Sequence, residues 1–109
     1  PHPRSYAAVS EFFRLAREKD LCSLEETVRR VTSKTATLIG LTNRGVLKKR
    51  NIADITIFDP ERIAPQASYL DPIRLSAGVQ HVILAGEITL YNGVQTELRK
   101  GKFLVKSPA

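Results

Sequence analysis

Cysteine and histidine are scarce in this chain of 109 residues. The single cysteine, Cys22, rules out a disulfide within the chain and favours a reducing, cytoplasmic setting. The two histidines, His2 and His81, stand far apart, and neither has another histidine, a cysteine or a carboxylate at the spacing of a metal site. No nucleophile motif is visible either. We therefore expect this segment to bind no metal and to contain no catalytic residue.

Long apolar runs and clustered glycines are also missing. No stretch approaches the roughly 20 apolar residues of a membrane-spanning helix, and no signal-peptide pattern is present. The six glycines are isolated from one another, so the chain has no glycine-rich loop of the kind that holds a phosphate. We therefore expect no membrane partner.

Basic residues are in excess, with 17 Lys and Arg against 11 Asp and Glu and a net charge of +6. Such a charge can attract nucleic acid. However, the cations are spread along the chain, and the densest run, Lys48-Lys49-Arg50, has no interleaved aromatic residue on which a base could stack. An exposed turn is the preferred interpretation of that run. We expect no nucleic-acid partner, and a salt-dependent gel shift would test the alternative.

The first third of the chain has helical patterns. Val9, Phe12, Phe13 and Ala16 follow the i, i+3, i+4, i+7 spacing, which predicts an amphipathic helix over residues 8–19. Ser23 and Glu26 form a capping box that starts a second helix, whose predicted buried stripe is Leu24, Val28 and Val31. A third, short helix is predicted to follow Thr32-Ser33 and to end at Gly40.

After Gly40 the pattern changes to the period of two that is typical of strands. We predict strands at 45–49 and 53–58, a hairpin over 81–91 and a last strand at 103–105, with a long loop over 60–78. Asp54 and Asp59 flank the second of these strands about 17 Å apart, which is too far for joint acid–base work and favours strand-end capping. The fold class predicted is α+β, with N-terminal helices followed by antiparallel strands.

The chain reads as a piece of a larger protein. Its opening, Pro-His-Pro-Arg-Ser-Tyr, is a rigid stretch that predicts a loop at residues 1–6, and the strands are too few for a self-sufficient sandwich. In the isolated segment, the apolar stripe of the first helix (Val9, Phe12, Phe13 and Ala16) and at least one open strand edge would then lack partners. We therefore expect the segment to self-associate.

Several motifs together resemble a known family. The sequence contains, in order, Pro1-His2-Pro3-Arg4-Ser5-Tyr6, Ser23-Leu24-Glu25-Glu26, Arg44-Gly45-Val46-Leu47 and Ala53-Asp54-Ile55-Thr56-Ile57-Phe58-Asp59-Pro60. The whole run resembles the C-terminal portion of the N-acyl-D-amino-acid deacylases (D-aminoacylases) of the amidohydrolase superfamily. The Ala-Asp strand and the hairpin at 79–86 are common to many amidohydrolases. The His-Pro-Arg opening and the capped helix point to the D-amino-acid branch.

The resemblance implies a parent enzyme with a TIM barrel and a small composite β-sandwich. Residues 1–41 would be the last loop and helices of the barrel, and residues 42–109 the C-terminal strands of the sandwich. The family's metal, zinc or another divalent ion, and its catalytic aspartate would lie upstream, so the isolated segment is expected to be inactive. In the whole enzyme, metal-activated water would attack the acyl carbonyl of an N-acyl-D-amino acid, the small-molecule substrate.

Arg4 is the residue to which the resemblance assigns a role in substrate binding. A guanidinium can hold the carboxylate of an acylamino acid through two parallel hydrogen bonds. His2 and Tyr6 could line the same pocket, although packing is the preferred interpretation for both. The chain departs from the family at Ala7-Ala8 and at Arg50-Asn51, where glycine is usual. Asn51 would tolerate a left-handed backbone at the second of these positions.

Two other interpretations of the function stay open. The segment could belong to another amidohydrolase, such as a hydantoinase or a dihydroorotase. It could also be a non-catalytic interaction module that assembles with a partner through unpaired strands.

Overall fold

The computed structural model describes residue 2 and residues 4–105, and for Ser5 and Tyr6 it describes the backbone only. The predicted place of Tyr6 in a pocket therefore lies outside the described residues. The elements are α1 (Arg4–Glu18), α2 (Leu24–Val31), α3 (Ser33–Leu38), β1 (Ile55–Phe58), β2 (Val79–Leu84), β3 (Glu87–Tyr91) and β4 (Val94–Gln95). Helices followed by an antiparallel sheet confirm the α+β class. The barrel and sandwich of the parent enzyme stay predictions.

Helix α1 begins at Arg4, so the predicted loop over residues 1–6 is wrong from Arg4 onward. The start of the helix has a polar partner, because the Arg4 N–H donates to Nδ1 of His2 at 3.0 Å. That bond satisfies one of the backbone donors that a helix leaves free at its first turn. The helix therefore starts four residues earlier than its apolar spacing indicated.

The buried face of α1 is rotated from the predicted stripe. Ala7, Ser10, Phe13 and Ala16 are buried, whereas Val9 is 56% exposed. The Phe13 ring packs edge-on against Phe58, with ring centroids 5.1 Å apart. The Ser10 hydroxyl bonds that of Ser76 at 2.6 Å. The burying partners thus come from residues 58–79, which the spacing within α1 could not reveal.

The long loop predicted over 60–78 is present and is anchored at both ends. The Arg17 guanidinium donates to the carbonyls of Pro60 and Ile63 at 2.9 and 3.0 Å. Farther along, Ala64 and Ala77 form an isolated antiparallel bridge. The loop is therefore held against α1 without a regular element of its own.

Helix α2 has its predicted N-cap and α3 its predicted C-terminal glycine, whereas Thr32, before α3, makes no side-chain cap hydrogen bond. Oγ of Ser23 accepts from the Glu26 N–H at 3.1 Å. After α3, Gly40 takes a φ of +80°, and the N–H groups of Leu41 and Gly40 bond the carbonyls of Ala36 and Thr37. This pattern is a Schellman motif. The predicted apolar stripe of α2 is wrong at Leu24, which is 43% exposed, whereas Val28 and Val31 are half-buried.

The residue of α2 that is buried is Thr27, at 1% exposure. Its hydroxyl donates to the Ser23 carbonyl at 2.8 Å. A hydroxyl that bonds a carbonyl of the preceding turn has its polar group satisfied inside the fold. A threonine outside the predicted stripe of Leu24, Val28 and Val31 is therefore the buried residue of α2.

The four strands form one sheet in the order β1-β2-β3-β4. The predicted hairpin is confirmed, since β2 and β3 pair antiparallel with Val82 opposite Leu90 and Leu84 opposite Glu87. Ala85-Gly86 and Asn92-Gly93 both have positive φ at each turn residue, the geometry of the type I′ turns that join tight hairpins. The second turn adds β4, a short strand that the sequence did not predict.

Two predicted strands are wrong, since residues 45–49 and 103–105 are not strands. The first of these segments lies in a loop whose flanking residues close it: the Ile52 N–H donates to the Asn43 carbonyl at 2.9 Å, and the Asn51 side chain donates to the Val46 carbonyl at 3.1 Å. The positive φ of this turn, +76°, falls on Arg50 rather than on Asn51. Lys49 and Arg50 are exposed turn residues, as the charge run predicted.

The chain clusters into two compact units. The first unit is formed by residues up to Thr27 together with Phe58–Val79, and the second by Val28–Ile57 together with the residues from Gln80 onward. The predicted boundary at residues 41 and 42 concerns the parent enzyme and stays a prediction. Within the described part of the chain, no helix has the length and apolarity needed to cross a bilayer.

Candidate functional site

The first unit contains a cavity of about 560 Å³ at the beginning of α1. One wall is the first two turns of that helix, and the other is the segment 65–69. Its volume is in the range of small-molecule sites. The lining residues are His2, Arg4, Ala7, Ala8, Glu11, Pro65, Ala67, Ser68 and Tyr69. The structure thus brings together Arg4 and His2, the two residues assigned to substrate binding.

Arg4 is the first residue of α1, and its side chain is exposed. A cation is unfavourable at this end of a helix, where the macrodipole is positive, and α1 has no acidic residue in its first turn to compensate. Within the described part of the chain, no carboxylate forms an ion pair with Arg4. The guanidinium and the helix terminus would therefore both attract an anion that entered the cavity.

His2 is held by two contacts. Its Nδ1 accepts the Arg4 N–H, so the neutral imidazole has its proton on Nε2. Its ring meets Tyr69 edge-on, with centroids 5.1 Å apart and planes at 80°. These contacts agree with a packing role for His2. They also leave Nε2–H as the donor that His2 can offer to a ligand.

Ala7 and Ala8, the positions where the resembled family usually has glycine, both belong to α1 and both line the cavity. Ala7 is buried and Ala8 is exposed. Their methyl groups are part of the wall, and helical geometry continues through them. The change from glycine therefore bears on the shape of the cavity rather than on a break in the helix.

Glu11 places a second charge in the wall of the cavity. Arg14 bonds both of its carboxylate oxygens, through Nε at 3.1 Å and through Nη2. Nη1 of Arg14 also pairs with Glu18. The hydrogen bond from Arg14 holds the pKa of Glu11 below its ordinary value, against the opposing effect of burial. Glu11 is thus ionised and compensated.

Sequence reasoning missed Glu11, Arg14 and the segment 65–69. The i, i+3 and i, i+4 spacing of Glu11, Arg14 and Glu18 was an available signal for a charge network on one helix face. Tyr69 had no such signal, because only the fold brings it to His2. Some residues of the cavity at Arg4 therefore have a signal in the local sequence, and others are brought there only by the tertiary fold.

A second cavity, of about 340 Å³, lies in the second unit and is lined by Arg44, Lys48 and several hydroxyl side chains. Its arginine is engaged, since Nε of Arg44 donates to Asp54 at 2.9 Å. Asp54 in turn accepts the Ala85 N–H at 2.9 Å. The ion pair connects the turn region to the hairpin, so we give Arg44 a structural role.

The described residues do not fit a metal ion. Across residue 2 and residues 4–105, no three His, Cys, Asp or Glu side chains lie close enough together to hold one. The cavity thus has a cation, Arg4, in its lining, and no cluster of metal ligands among the described residues.

Comparison with known proteins agrees with these features. The sequence model of the amidohydrolase family matches residues 1–90. N-acyl-D-aspartate deacylase of Alcaligenes xylosoxydans xylosoxydans is 33% identical over 111 residues, which cover 100% of this chain and 22% of the relative. The chain therefore spans about a fifth of the length of this relative.

Solved structures give the same result. The crystal structure of D-aminoacylase superposes with a TM-score of 0.90 at 29% identity, covering 97% of this chain and 23% of that one. N-acyl-D-glutamate deacylase from Bordetella bronchiseptica, solved with zinc and a phosphonate inhibitor that mimics the tetrahedral intermediate, superposes with a TM-score of 0.79 at 30% identity. That match covers 93% of this chain and 22% of the other. The resemblance identified from the motifs is confirmed.

Proposed function

Since this chain belongs to the amidohydrolase family, we propose that it is a segment of a metal-dependent hydrolase that cleaves the amide bond of N-acyl-D-amino acids. Its similarity to deacylases over its whole length supports this assignment. The similarity does not favour a hydantoinase or a dihydroorotase. The observation that carries the proposal is Arg4, a cation with no ion pair among the described residues, at the edge of a cavity of ligand size.

In this proposal, Arg4 binds the carboxylate of the substrate through two parallel hydrogen bonds. The helix terminus adds its partial positive charge, and Ala7, Ala8 and Pro65 supply apolar parts of the wall. Fixing the carboxylate fixes the position of the adjacent amide, which lowers the entropic cost of reaching the transition state. The role of this segment is therefore to orient the substrate.

The metal would come from the rest of the enzyme. The zinc in the Bordetella bronchiseptica relative supports a divalent ion in the whole protein. The described residues offer it no cluster of ligands. We therefore expect the isolated 109-residue chain to show no deacylase activity, and zinc-dependent hydrolysis by the pure segment would contradict the proposal.

Arg4→Ala in the complete enzyme tests the binding role. Deleting one partner of a desolvated charged pair is costly, so kcat/KM for an N-acetyl-D-amino acid should fall by about a hundredfold. Arg4→Lys should keep only part of the wild-type kcat/KM, because an ammonium cannot make the bidentate contact.

Two controls make this test specific. The wild type should hydrolyse an N-acetyl-D-amino-acid amide slowly, because this compound lacks the carboxylate. Arg4→Ala should hardly change the rate of that reaction. Arg99→Ala removes an exposed arginine outside the cavity and should leave the kinetics unchanged. Equal losses with the acid and with the amide would remove Arg4 from carboxylate recognition.

A further inference from the structure

Arg4 and Glu11 carry opposite charges, lie on the same helix and line the same cavity. They are seven residues apart, which is about 10 Å along the axis of α1. A carboxylate in the wall of a site that binds carboxylates is an obstacle, because it repels the ligand that Arg4 attracts. The site should therefore bind a carboxylate more tightly when the charge of Glu11 is compensated.

Arg14 provides this compensation. Its Nε and Nη2 bond the two carboxylate oxygens of Glu11, in the bidentate geometry that suits a guanidinium. The remaining terminal nitrogen, Nη1, pairs with Glu18 one turn farther along α1. Arg14 itself does not line the cavity. The guanidinium is therefore anchored on both sides, and Glu11 has a fixed partner.

We propose that Arg14 is a positioning residue for the Arg4 site: by occupying both oxygens of Glu11, it keeps that wall of the cavity electrically compensated, so that a ligand carboxylate can bind Arg4. This inference rests on the proposed function. It concerns ligand binding and not the chemical step, so its effect belongs in KM.

The test uses the complete enzyme and an N-acetyl-D-amino acid. Arg14→Gln leaves Glu11 as a bare carboxylate in the cavity wall, and KM should rise about three- to tenfold, as expected for one unscreened charge at this range. The kcat should stay within about twofold. Raising the salt concentration should shrink the effect, because the repulsion is electrostatic.

The decisive variant is the double substitution Arg14→Gln/Glu11→Gln. Removing the exposed carboxylate should return KM to within about twofold of the wild type. Arg14→Lys should keep most of the wild-type affinity, since the charge is retained. Arg62→Gln removes an exposed arginine of the same unit that does not line the cavity, and it should change neither constant.

The outcomes separate the two hypotheses. Wild-type KM in Arg14→Gln overturns this inference, and so does an increase that Glu11→Gln does not reverse, because the defect would then be structural. Arg4-dependent deacylase activity in either case would leave the proposed function intact. Absence of deacylase activity in the wild-type enzyme would refute the proposed function itself.

Discussion

The two units of the chain are stabilised in different ways. Among the described residues, six of the seven that are buried belong to the first unit: Ala7, Ser10, Phe13, Ala16, Thr27 and Ile63. In the second unit the buried residue is Ala36. Large apolar side chains are exposed in both units, among them Leu70 at 99% in the first and Leu47 at 80% and Phe103 at 92% in the second.

Polar and backbone contacts hold the second unit. Asp54 binds both Arg44 and the Ala85 N–H, and the Gly86 N–H donates to the Ala53 carbonyl at 3.0 Å. Such contacts specify geometry but add little net stability, whereas apolar burial contributes about 25 cal/mol per Å². Most of the buried side chains therefore belong to the first unit, whereas the second depends more on polar contacts. The self-association predicted from the sequence stays a prediction.

The largest expected difference in stability between the two units is tested at one glycine in each. Gly78 of the first unit and Gly86 of the second both have positive φ, so alanine is strained by about 1–2 kcal/mol at either position. A Cβ at Gly78 would also lie 2.5 Å from the Ile63 nitrogen and 2.6 Å from its Cα, whereas a Cβ at Gly86 would meet nothing within 4 Å.

We therefore expect Gly78→Ala to lower the free energy of unfolding by about 4 kcal/mol or more, and Gly86→Ala by no more than the strain of the turn. Urea unfolding of the two variants, followed by circular dichroism, checks the difference. Equal losses would mean that the first unit is not packed as closely as the structure indicates.

A second pair of substitutions compares the apolar side chains directly. Phe13 is 6% exposed and packs on Phe58, so Phe13→Ala should cost about 3–4 kcal/mol in the isolated chain. Phe103→Ala should change the stability of the monomer by less than about 0.5 kcal/mol.

The same Phe103 substitution also tests for a partner surface. Light scattering at micromolar concentration should show the isolated chain as a dimer or larger assembly, and Phe103→Ala should shift it toward the monomer. A wild-type monomer that binds no hydrophobic dye would show that the exposed surface of the second unit does not drive association.

Features that depend on adjacent residues could be predicted from the sequence. Gly40 ends α3, Ser23 caps α2, and Ala85-Gly86 turns the hairpin, because each motif contains its own hydrogen-bond partners or backbone freedom. Arg4 and His2 were assigned from a motif, and the structure brings them to one cavity.

Features that depend on distant residues could not be predicted. Val9 is exposed because residues 58–79 select another face of α1, and Tyr69 reaches His2 only in the folded unit. Residues 45–49 are not a strand, and a Cβ on Gly45, with its φ of +90°, would lie 2.8 Å from the Ala36 Cβ. That close approach fixes the loop, and no local pattern indicates it.

The smallest predicted effect concerns pH, and it follows from the polar contacts of the second unit. Burial raises the pKa of Asp54, but the Ala85 N–H and the Arg44 guanidinium outweigh it and hold the pKa below its ordinary value of 3.8. Because the folded pKa is the lower one, the stabilisation is complete above about pH 5 and is lost as the pH falls through 3.8 toward the folded value.

Asp54→Asn keeps an acceptor for the Ala85 N–H and removes the charge that faces Arg44. It should therefore cost about 1 kcal/mol at pH 7 and progressively less as the pH is lowered below 3.8, because the lowered pKa of the folded carboxyl stabilises the fold only while Asp54 is ionised. Urea unfolding at pH 7 and at a series of lower pH values measures this, and adding Asp54→Asn to Arg44→Gln should cost less than Asp54→Asn alone, because the two residues share one interaction. A penalty that did not shrink as the pH was lowered would show that the Asp54 charge does not stabilise the second unit.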